Sequence, residues 1–237
     1  MIFDELFDRI ICLHYIPYEE RLEPLKQELK RVGILDSPKF DWKLTFDSPL
    51  LHNLYKNFPN KCVTQGLFNC AVGHYEVWKT CEMMRYKKVL ILEDDVRFLK
   101  NVKRVHEIFA DTPAEYDYIL YDRYAHSNKV IDETVADRYN DNFANHKQVS
   151  QFESNGCYAM SYDALYFNVV CQEQKMTYAD VPIKYINSLK KYVTIEPPCI
   201  QKLYDSSWTA TSLKERADRE IIYRRTRIDK TKYNLEL

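Results

Sequence analysis

The chain has 237 residues, of which 46% are hydrophobic, and this is enough apolar material for the core of one α/β domain. Its 34 lysines and arginines are balanced by 35 aspartates and glutamates, so the net charge gives no ground for a nucleic-acid partner or a strongly acidic one. Irregularly spaced cysteines, no signal-peptide pattern and no apolar run of about 20 residues predict reduced thiols, a cytoplasmic location and no membrane span.

The first predicted elements are a buried strand at residues 9–14 and a helix at residues 18–32, whose leucines recur at helical spacing before Gly33. No glycine-rich loop joins the two, which argues against a dinucleotide fingerprint or a P-loop. Arg21 lies in the first turn of this helix. There it either faces an anionic ligand at the end of the strand or is a solvated surface residue.

A short strand at residues 40–44 and an irregular excursion precede a long predicted helix at residues 64–85. Cys70, His74 and Trp78 are spaced four residues apart and must share one face of that helix. A metal site through Cys70, His74 and Cys81 is one interpretation, but the paired ligand motifs of zinc sites are absent. We favour a buried thiol beside a histidine and a tryptophan, with His74 hydrogen-bonded near the end of the next strand.

The next strand, at residues 89–92, ends in three consecutive carboxylates, Glu93, Asp94 and Asp95. A parallel sheet delivers such residues to its carboxyl edge, where open α/β sheets bind their ligands. Adjacent acids repel one another unless solvent, a cation or a basic ligand offsets them. Taken alone, the run fits either a divalent metal that holds a phosphate-bearing substrate or a polar exit from the strand.

Further along, the pattern predicts a helix at residues 100–109, a strand at 116–122 and a strand at 155–161 that enters a helix with Ser161 as its N-cap. Residues 123–151 are polar and are expected to form a long surface or lid region. Another helix follows Asp180, and prolines break a last strand near residues 193–198. Residues 209–237 form a basic tail, which suits peripheral contact with a membrane or an anionic partner, or equally a solvated helix with internal ion pairs.

These blocks together resemble glycosyltransferase family 25, over residues 8–208. The resemblance is carried by the opening strand and helix with Arg21, by residues 66–78 with Cys70 and His74, by residues 89–98 with the acidic triplet, and by residues 156–161 followed by Asp180, Gln201 and the Ser206–Ser207 pair. Two residues depart from the family pattern. Asn69 stands where the family usually has glycine, and Gly73 where it usually has serine.

The resemblance implies a single α/β domain of GT-A type, a Rossmann-like mixed sheet flanked by helices. Residues 1–208 would form it, with a nucleotide-sugar-binding half at 8–125 and an acceptor-side half at 126–208, followed by the tail at 209–237. It also implies transfer of a hexose, most often galactose, from a UDP-sugar to a glycan on lipid or protein, as in lipopolysaccharide biosynthesis. The expected cofactor is a divalent metal, Mn²⁺ or Mg²⁺.

Within this scheme Asp95 is expected to bind the metal directly and Glu93 through water, while Asp94 binds the ribose or the donor sugar. Arg21, His74 and Gln201 are expected on the donor side. An inverting reaction needs a base, for which Asp180 is the candidate, although an N-cap role is equally compatible with its position.

Two other functions stay open at this point. One is a non-catalytic binding or adhesion module on the same scaffold, which loss of the acidic triplet would mark, so the presence of the triplet argues against it. The other is a metal-dependent phosphoesterase, which would need further histidine or aspartate pairs at other strand ends, where the chain offers only scattered residues such as Asp122 and His126.

Overall fold

A computed structural model describes residues 2–46, 65–123, 137–145, 155–174, 188–202 and 229–235 of the chain. Its helices are α1 (Ile2–Leu6), α2 (Glu19–Arg31), α3 (Gln65–Met83), α4 (Val102–Ala110) and α5 (Tyr162–Gln174), with a 3₁₀ turn at Lys230–Lys232. The strands are β1 (Arg9–Tyr15), β2 (Phe40–Thr45), β3 (Lys88–Leu92), β4 (Val96–Phe98), β5 (Tyr118–Leu120), β6 (Asp122–Arg123), β7 (Phe143–Asn145), β8 (Cys157–Ser161), β9 (Lys191–Thr194) and β10 (Cys199–Gln201). Among the helices of these ranges, none has both the length and the apolar character that crossing a membrane requires.

Seven of the strands form one mixed sheet in the order β2-β1-β3-β8-β5-β9-β7. Strands β1, β2 and β3 are mutually parallel, β8 runs antiparallel to β3 and to β5, and β9 is parallel to β5. Five strands therefore end at one edge of the sheet, which is also where β8 begins. The expected Rossmann-like mixed sheet with flanking helices is confirmed.

Helices cover both faces of this sheet, and β3 shows why. Leu90 and Leu92 point into the cluster that includes α1, α2 and α4, whereas Val89 and Ile91 point into the cluster that includes α3 and α5. A strand buried on both faces needs an uninterrupted apolar run, and the sequence of β3 provides it.

A second, three-stranded sheet in the order β4-β10-β6 lies at the carboxyl edge of the large sheet, since β4 follows β3 and β6 follows β5. Strand β4 follows directly from the acidic turn after β3, and β10 pairs antiparallel with it, so that Gln201 lies opposite Val96. The small sheet therefore brings residues from near position 200 back to the acidic triplet.

The end of the described chain returns to the same small sheet. Tyr233 is buried in the main core, forms a bridge with Leu99 and donates its hydroxyl hydrogen bond to the carbonyl of Pro197 at 2.8 Å. Residues 229–235 of the predicted basic tail thus pack against the domain, while residues 209–228 lie outside the described residues.

Most predicted elements are present within two or three residues of their expected limits. The structure adds α1, β4, β7 and β10, and it divides the expected strand at 116–122 into β5 and β6. Residues 143–145, which we expected in a surface or lid region, form β7, one of the two edge strands of the large sheet. The predicted N-cap is confirmed, since Ser161 Oγ accepts a hydrogen bond from the amide of Ala164 at 3.2 Å.

Candidate active site

The three acids occupy the turn between β3 and β4, at the carboxyl edge of the sheet. The alternation of β3 continues into this turn, so successive side chains leave it on opposite sides. Glu93 reaches His74 on α3, whereas Asp94 reaches Arg21 on α2. The triplet is thus divided between two faces of the sheet.

Asp94 lies in a buried network that joins three elements. Its Oδ1 accepts a hydrogen bond from an Arg21 terminal nitrogen at 2.8 Å, and its Oδ2 lies 2.9 Å from His14 Nδ1 and 3.1 Å from the amide of Tyr15. Burial raises the pKa of Asp94, but His14, the positive charge of Arg21 and the Tyr15 amide outweigh burial and hold this pKa below its ordinary value. Asp94 is therefore an ionised, fully engaged carboxylate.

Arg21 is correspondingly buried rather than solvated. Its guanidinium carbon lies 4.1 Å from the ring centroid of Tyr18, and the side chain is only 3% exposed. Burial lowers the pKa of Arg21, and the carboxylates of Asp94 and Asp95 more than offset this effect, so the pKa is raised. A positive charge is thereby fixed beneath the acidic turn.

Glu93 is held from both sides. Its Oε1 accepts a hydrogen bond from His74 Nε2 at 2.8 Å and lies 3.8 Å from Cys70 Sγ, and its Oε2 accepts one from Gln201 Nε2 at 2.8 Å. Helix α3 and strand β10 therefore fix the position of this carboxylate together. Sequence reasoning placed His74 near the acidic strand end, and the structure has it there.

Behind His74 stands a second layer of polar groups. Tyr158 Oη lies 2.7 Å from His74 Nδ1 and accepts a hydrogen bond from Trp78 Nε1 at 2.9 Å. Because the indole nitrogen can only donate, the tyrosine hydroxyl is free to donate to His74 Nδ1, which leaves the histidine proton on Nε2, facing Glu93. Burial raises the pKa of Tyr158 well above its ordinary value, so this hydroxyl stays protonated.

Asp95 differs from its two neighbours. Its Oδ1 is buried, and within the described residues this atom has no hydrogen-bond partner. Burial, together with the neighbouring Glu93 and Asp94 carboxylates, raises the pKa of Asp95 well above its ordinary value against the charges of Arg21 and Arg97. A buried acceptor of this kind fits a hard divalent cation, which binds carboxylate oxygen and would offset the repulsion.

Gly156, directly before β8, allows β6 and β10 to approach the triplet. Its amide donates to Asp122 Oδ2 at 3.1 Å, and its carbonyl accepts from the amide of Glu93 at 2.8 Å. A Cβ atom at this position would lie 2.5 Å from Asp122 Oδ2 and 2.6 Å from Gln201 Cγ. Glycine is therefore needed for the close packing that places Gln201 on Glu93.

Gly73, one of the two departures from the family pattern, has a local explanation. A Cβ there would lie 3.1 Å from Thr45 Cγ2 and 3.3 Å from Leu13 Cδ2. Glycine lets α3 lie close to β1 and β2, and a serine would require these side chains to shift by a few tenths of an ångström.

Of the predicted site residues, the structure brings together Arg21, His74, Glu93, Asp94, Asp95 and Gln201 at one edge. Asp180, Ser206, Ser207 and His126 lie outside the described residues. Cys81 does not join Cys70 and His74, since it packs in the apolar cluster between α3 and the sheet. The interpretation of Cys70, His74 and Cys81 as one metal site is therefore wrong.

Two contributors were missed from the sequence, His14 and Tyr158, whereas Asp122 was considered only as an acid for a phosphoesterase. His14 lies in β1 and Tyr158 in β8, the two strands that pair with β3, and no local pattern specifies their register with β3. The only available signal was weak, namely a polar residue inside or directly after an apolar run.

Comparison with known proteins agrees with this picture. The family described as Glycosyltransferase family 25 (LPS biosynthesis protein) matches residues 20–177. A Drosophila melanogaster protein named Glycosyltransferase 25 family member is 30% identical over 129 residues, which cover 49% of this chain and 21% of that protein. The human protein named Inactive glycosyltransferase 25 family member 3 is 28% identical over 121 residues, which cover 48% of this chain and 20% of that protein.

The chain thus spans about one fifth of the length of these curated relatives. The family match, in contrast, extends over more than half of the chain and includes α2, α3, the acidic turn and β8. The chain belongs to glycosyltransferase family 25.

Proposed function

We propose that this chain catalyses transfer of a hexose, galactose in the first instance, from a UDP-sugar to a glycan on lipid or protein, with inversion at the anomeric carbon. Family membership supports sugar transfer as the reaction class. The single observation that supports a donor site at the acidic turn is the buried Asp95 Oδ1, which lacks a partner among the described residues.

The cofactor in this proposal is Mn²⁺ or Mg²⁺, held by Asp95 with Glu93 nearby. When bound, such an ion offsets the negative charge that develops on the leaving diphosphate. The role of the surrounding residues is to keep the two carboxylates in place. His74 and Gln201 fix Glu93, while Arg21 and His14 fix Asp94 and with it the turn that carries Asp95.

The contacts of Asp94 change the role that we assign to this residue. Both oxygens of Asp94 are engaged by protein groups, so we assign it the task of shaping the turn in addition to the donor contact expected from the sequence. Asp180 remains the proposed base, which would take the proton of the acceptor hydroxyl on the side opposite the leaving diphosphate.

The experiment is release of UDP from a panel of UDP-sugars, first without acceptor and with Mn²⁺ present. We expect slow hydrolysis of the cognate donor by the wild-type chain and its loss in Asp95→Asn, by about 100-fold or more, since several kcal/mol of charge stabilisation depend on this carboxylate. Asp36→Asn, at an exposed acid in the turn after α2, is the matched control and should retain the wild-type rate.

No release from any nucleotide sugar, or release that Asp95→Asn leaves unchanged, would contradict the proposal. A second candidate is a non-catalytic binding module, which is favoured by the human relative named as inactive. Donor binding without turnover in both the wild-type chain and the control would favour that candidate.

A further inference from the structure

A cluster of three different metal-ligating groups lies beside the acidic turn, on the α3 side. Cys70 Sγ, His74 and Glu93 present ligand atoms that all lie within 4.8 Å of one another, and among the described residues no other group of three histidines, cysteines or acids does so. Cys70 and His74 are one helical turn apart on α3, and Glu93 follows β3 directly.

We propose that Cys70, His74 and Glu93 form a binding site for Zn²⁺ or a similar transition-metal ion (a zinc-class ion). Its sulfur and nitrogen ligands distinguish this site from the oxygen-ligated Mn²⁺ or Mg²⁺ site proposed at Asp95. A thiolate and an imidazole nitrogen select zinc-class ions, whereas carboxylate and water suit Mn²⁺ and Mg²⁺. Three protein ligands with one open position is a common arrangement for zinc that keeps a water or an exogenous ligand.

The distances require little movement. His74 Nε2 lies 2.8 Å and Cys70 Sγ 3.8 Å from Glu93 Oε1. With usual bond lengths, tetrahedral zinc places nitrogen about 3.3 Å and sulfur about 3.6 Å from a carboxylate oxygen. Shifts of about half an ångström would therefore admit the ion in place of the proton that now joins His74 to Glu93.

The groups behind the ligands are already in position. His74 Nδ1 lies 2.7 Å from Tyr158 Oη, which can accept a hydrogen bond from the imidazole once the proton moves to Nδ1 and the hydroxyl proton rotates away from it, and Gln201 orients the second oxygen of Glu93. Such outer contacts fix the orientation of ligating side chains. The His74 side chain is fully buried and that of Glu93 is 21% exposed, so solvent reaches this cluster on the Glu93 side.

Binding is balanced by proton release. The Cys70 thiol loses its proton to solvent as the sulfur–zinc bond forms, and His74 stays neutral because its proton moves from Nε2 to Nδ1. Glu93 Oε1 exchanges its hydrogen bond with His74 for a bond to the ion. No oxidant or further reactant is needed.

The test is binding of Co²⁺ and Zn²⁺ to the whole purified chain, without any sugar nucleotide, so that its outcome is independent of the proposed transferase activity. We expect a thiolate-to-cobalt charge-transfer absorption in the wild-type chain and in Cys171→Ser, a matched control at a half-buried cysteine on α5. In Cys70→Ser that absorption should disappear, and zinc affinity should fall about tenfold or more.

A second measurement uses the wild-type chain alone, so it does not depend on how the variant folds. Alkylation by iodoacetamide, mapped residue by residue by mass spectrometry, should be slowed about tenfold at Cys70 by Zn²⁺ and left unchanged at Cys171. Equal alkylation rates at Cys70 with and without Zn²⁺, or a cobalt absorption that survives Cys70→Ser, would overturn the proposal. Equal protection by Mn²⁺ would overturn the assignment to a zinc-class ion.

Discussion

Asp94 and Arg21 form an ion pair that water hardly reaches, with side chains 7% and 3% exposed. Removing two charges from water is costly, and the cost is recovered here because His14 and the Tyr15 amide also donate to the carboxylate. The pair joins α2 to the acidic turn. The pair affects the free energy of unfolding most strongly when one partner is removed, because the other charge then stays buried.

We expect Asp94→Asn to lower the free energy of unfolding by about 3–5 kcal/mol, because the Arg21 charge would stay buried without its counter-ion. Urea unfolding at neutral pH measures the change. The matched control is Asp41→Asn, which breaks the more exposed pair with Arg9 and should cost less than about 1 kcal/mol. Equal losses in the two variants would contradict the buried-pair account.

The sequence predicted part of this site through the side-chain periodicity of its strands. The two-residue repeat of β3 was enough to expect Glu93 and Asp94 on opposite sides of the chain. The identity of their partners depends on register, because His14 meets Asp94 only through the pairing of β1 with β3, which sets Cys12 opposite Leu92. Strands β1 and β3 are apolar along nearly their whole length, so the local hydrophobic pattern does not distinguish one register of this pairing from another.

Helix α3 supports the site as a unit. Its Trp78 packs beneath the sheet, its His74 touches Glu93, and Tyr158 on β8 joins the two through one hydroxyl group. The four-residue spacing of Cys70, His74 and Trp78 predicted a shared face, and that face is the one turned to the acidic strand end. The tyrosine could not be anticipated, since β8 enters from a distant part of the chain.

Tyr158→Phe tests this connection. It would leave Trp78 Nε1 and His74 Nδ1 buried without their shared partner, at about 1–3 kcal/mol for each group, so we expect a loss of about 2 kcal/mol or more in unfolding free energy. Tyr166→Phe, on the half-exposed face of α5, should change stability by less than about 0.5 kcal/mol. If both variants unfolded at the same urea concentration, the shared hydroxyl would have no supporting role.

Taken as a whole, the molecule places its candidate site where two sheets meet. The large sheet supplies the acidic turn and the small sheet supplies Gln201, with Gly156 between them. Fold class was predictable because apolar strands alternate with amphipathic helices. Strands β4, β7 and β10 were not, since each has only three residues and its stability comes from its neighbours rather than from its own pattern.

The described end of the chain contributes to this architecture. Tyr233→Ala removes a buried ring and its hydrogen bond to Pro197, and we expect a loss of about 3–5 kcal/mol in unfolding free energy. Thermal or urea unfolding measures it, with Tyr166→Ala as the control at an exposed ring. A negligible effect of Tyr233→Ala would mean that residues 229–235 are not part of the folded domain.

The most direct test of the central claim is a thermal-shift matrix of UDP-sugars with and without Mn²⁺, on the wild-type chain and Asp95→Asn. A donor at about 100 times its dissociation constant stabilises the folded state by about 2.7 kcal/mol, or about 5–10 °C in Tm for a chain of this size. We predict this shift only when donor and Mn²⁺ are both present, and only with Asp95 intact. A full shift in Asp95→Asn, or none in the wild-type chain with any UDP-sugar, would contradict a metal and diphosphate site at the acidic turn.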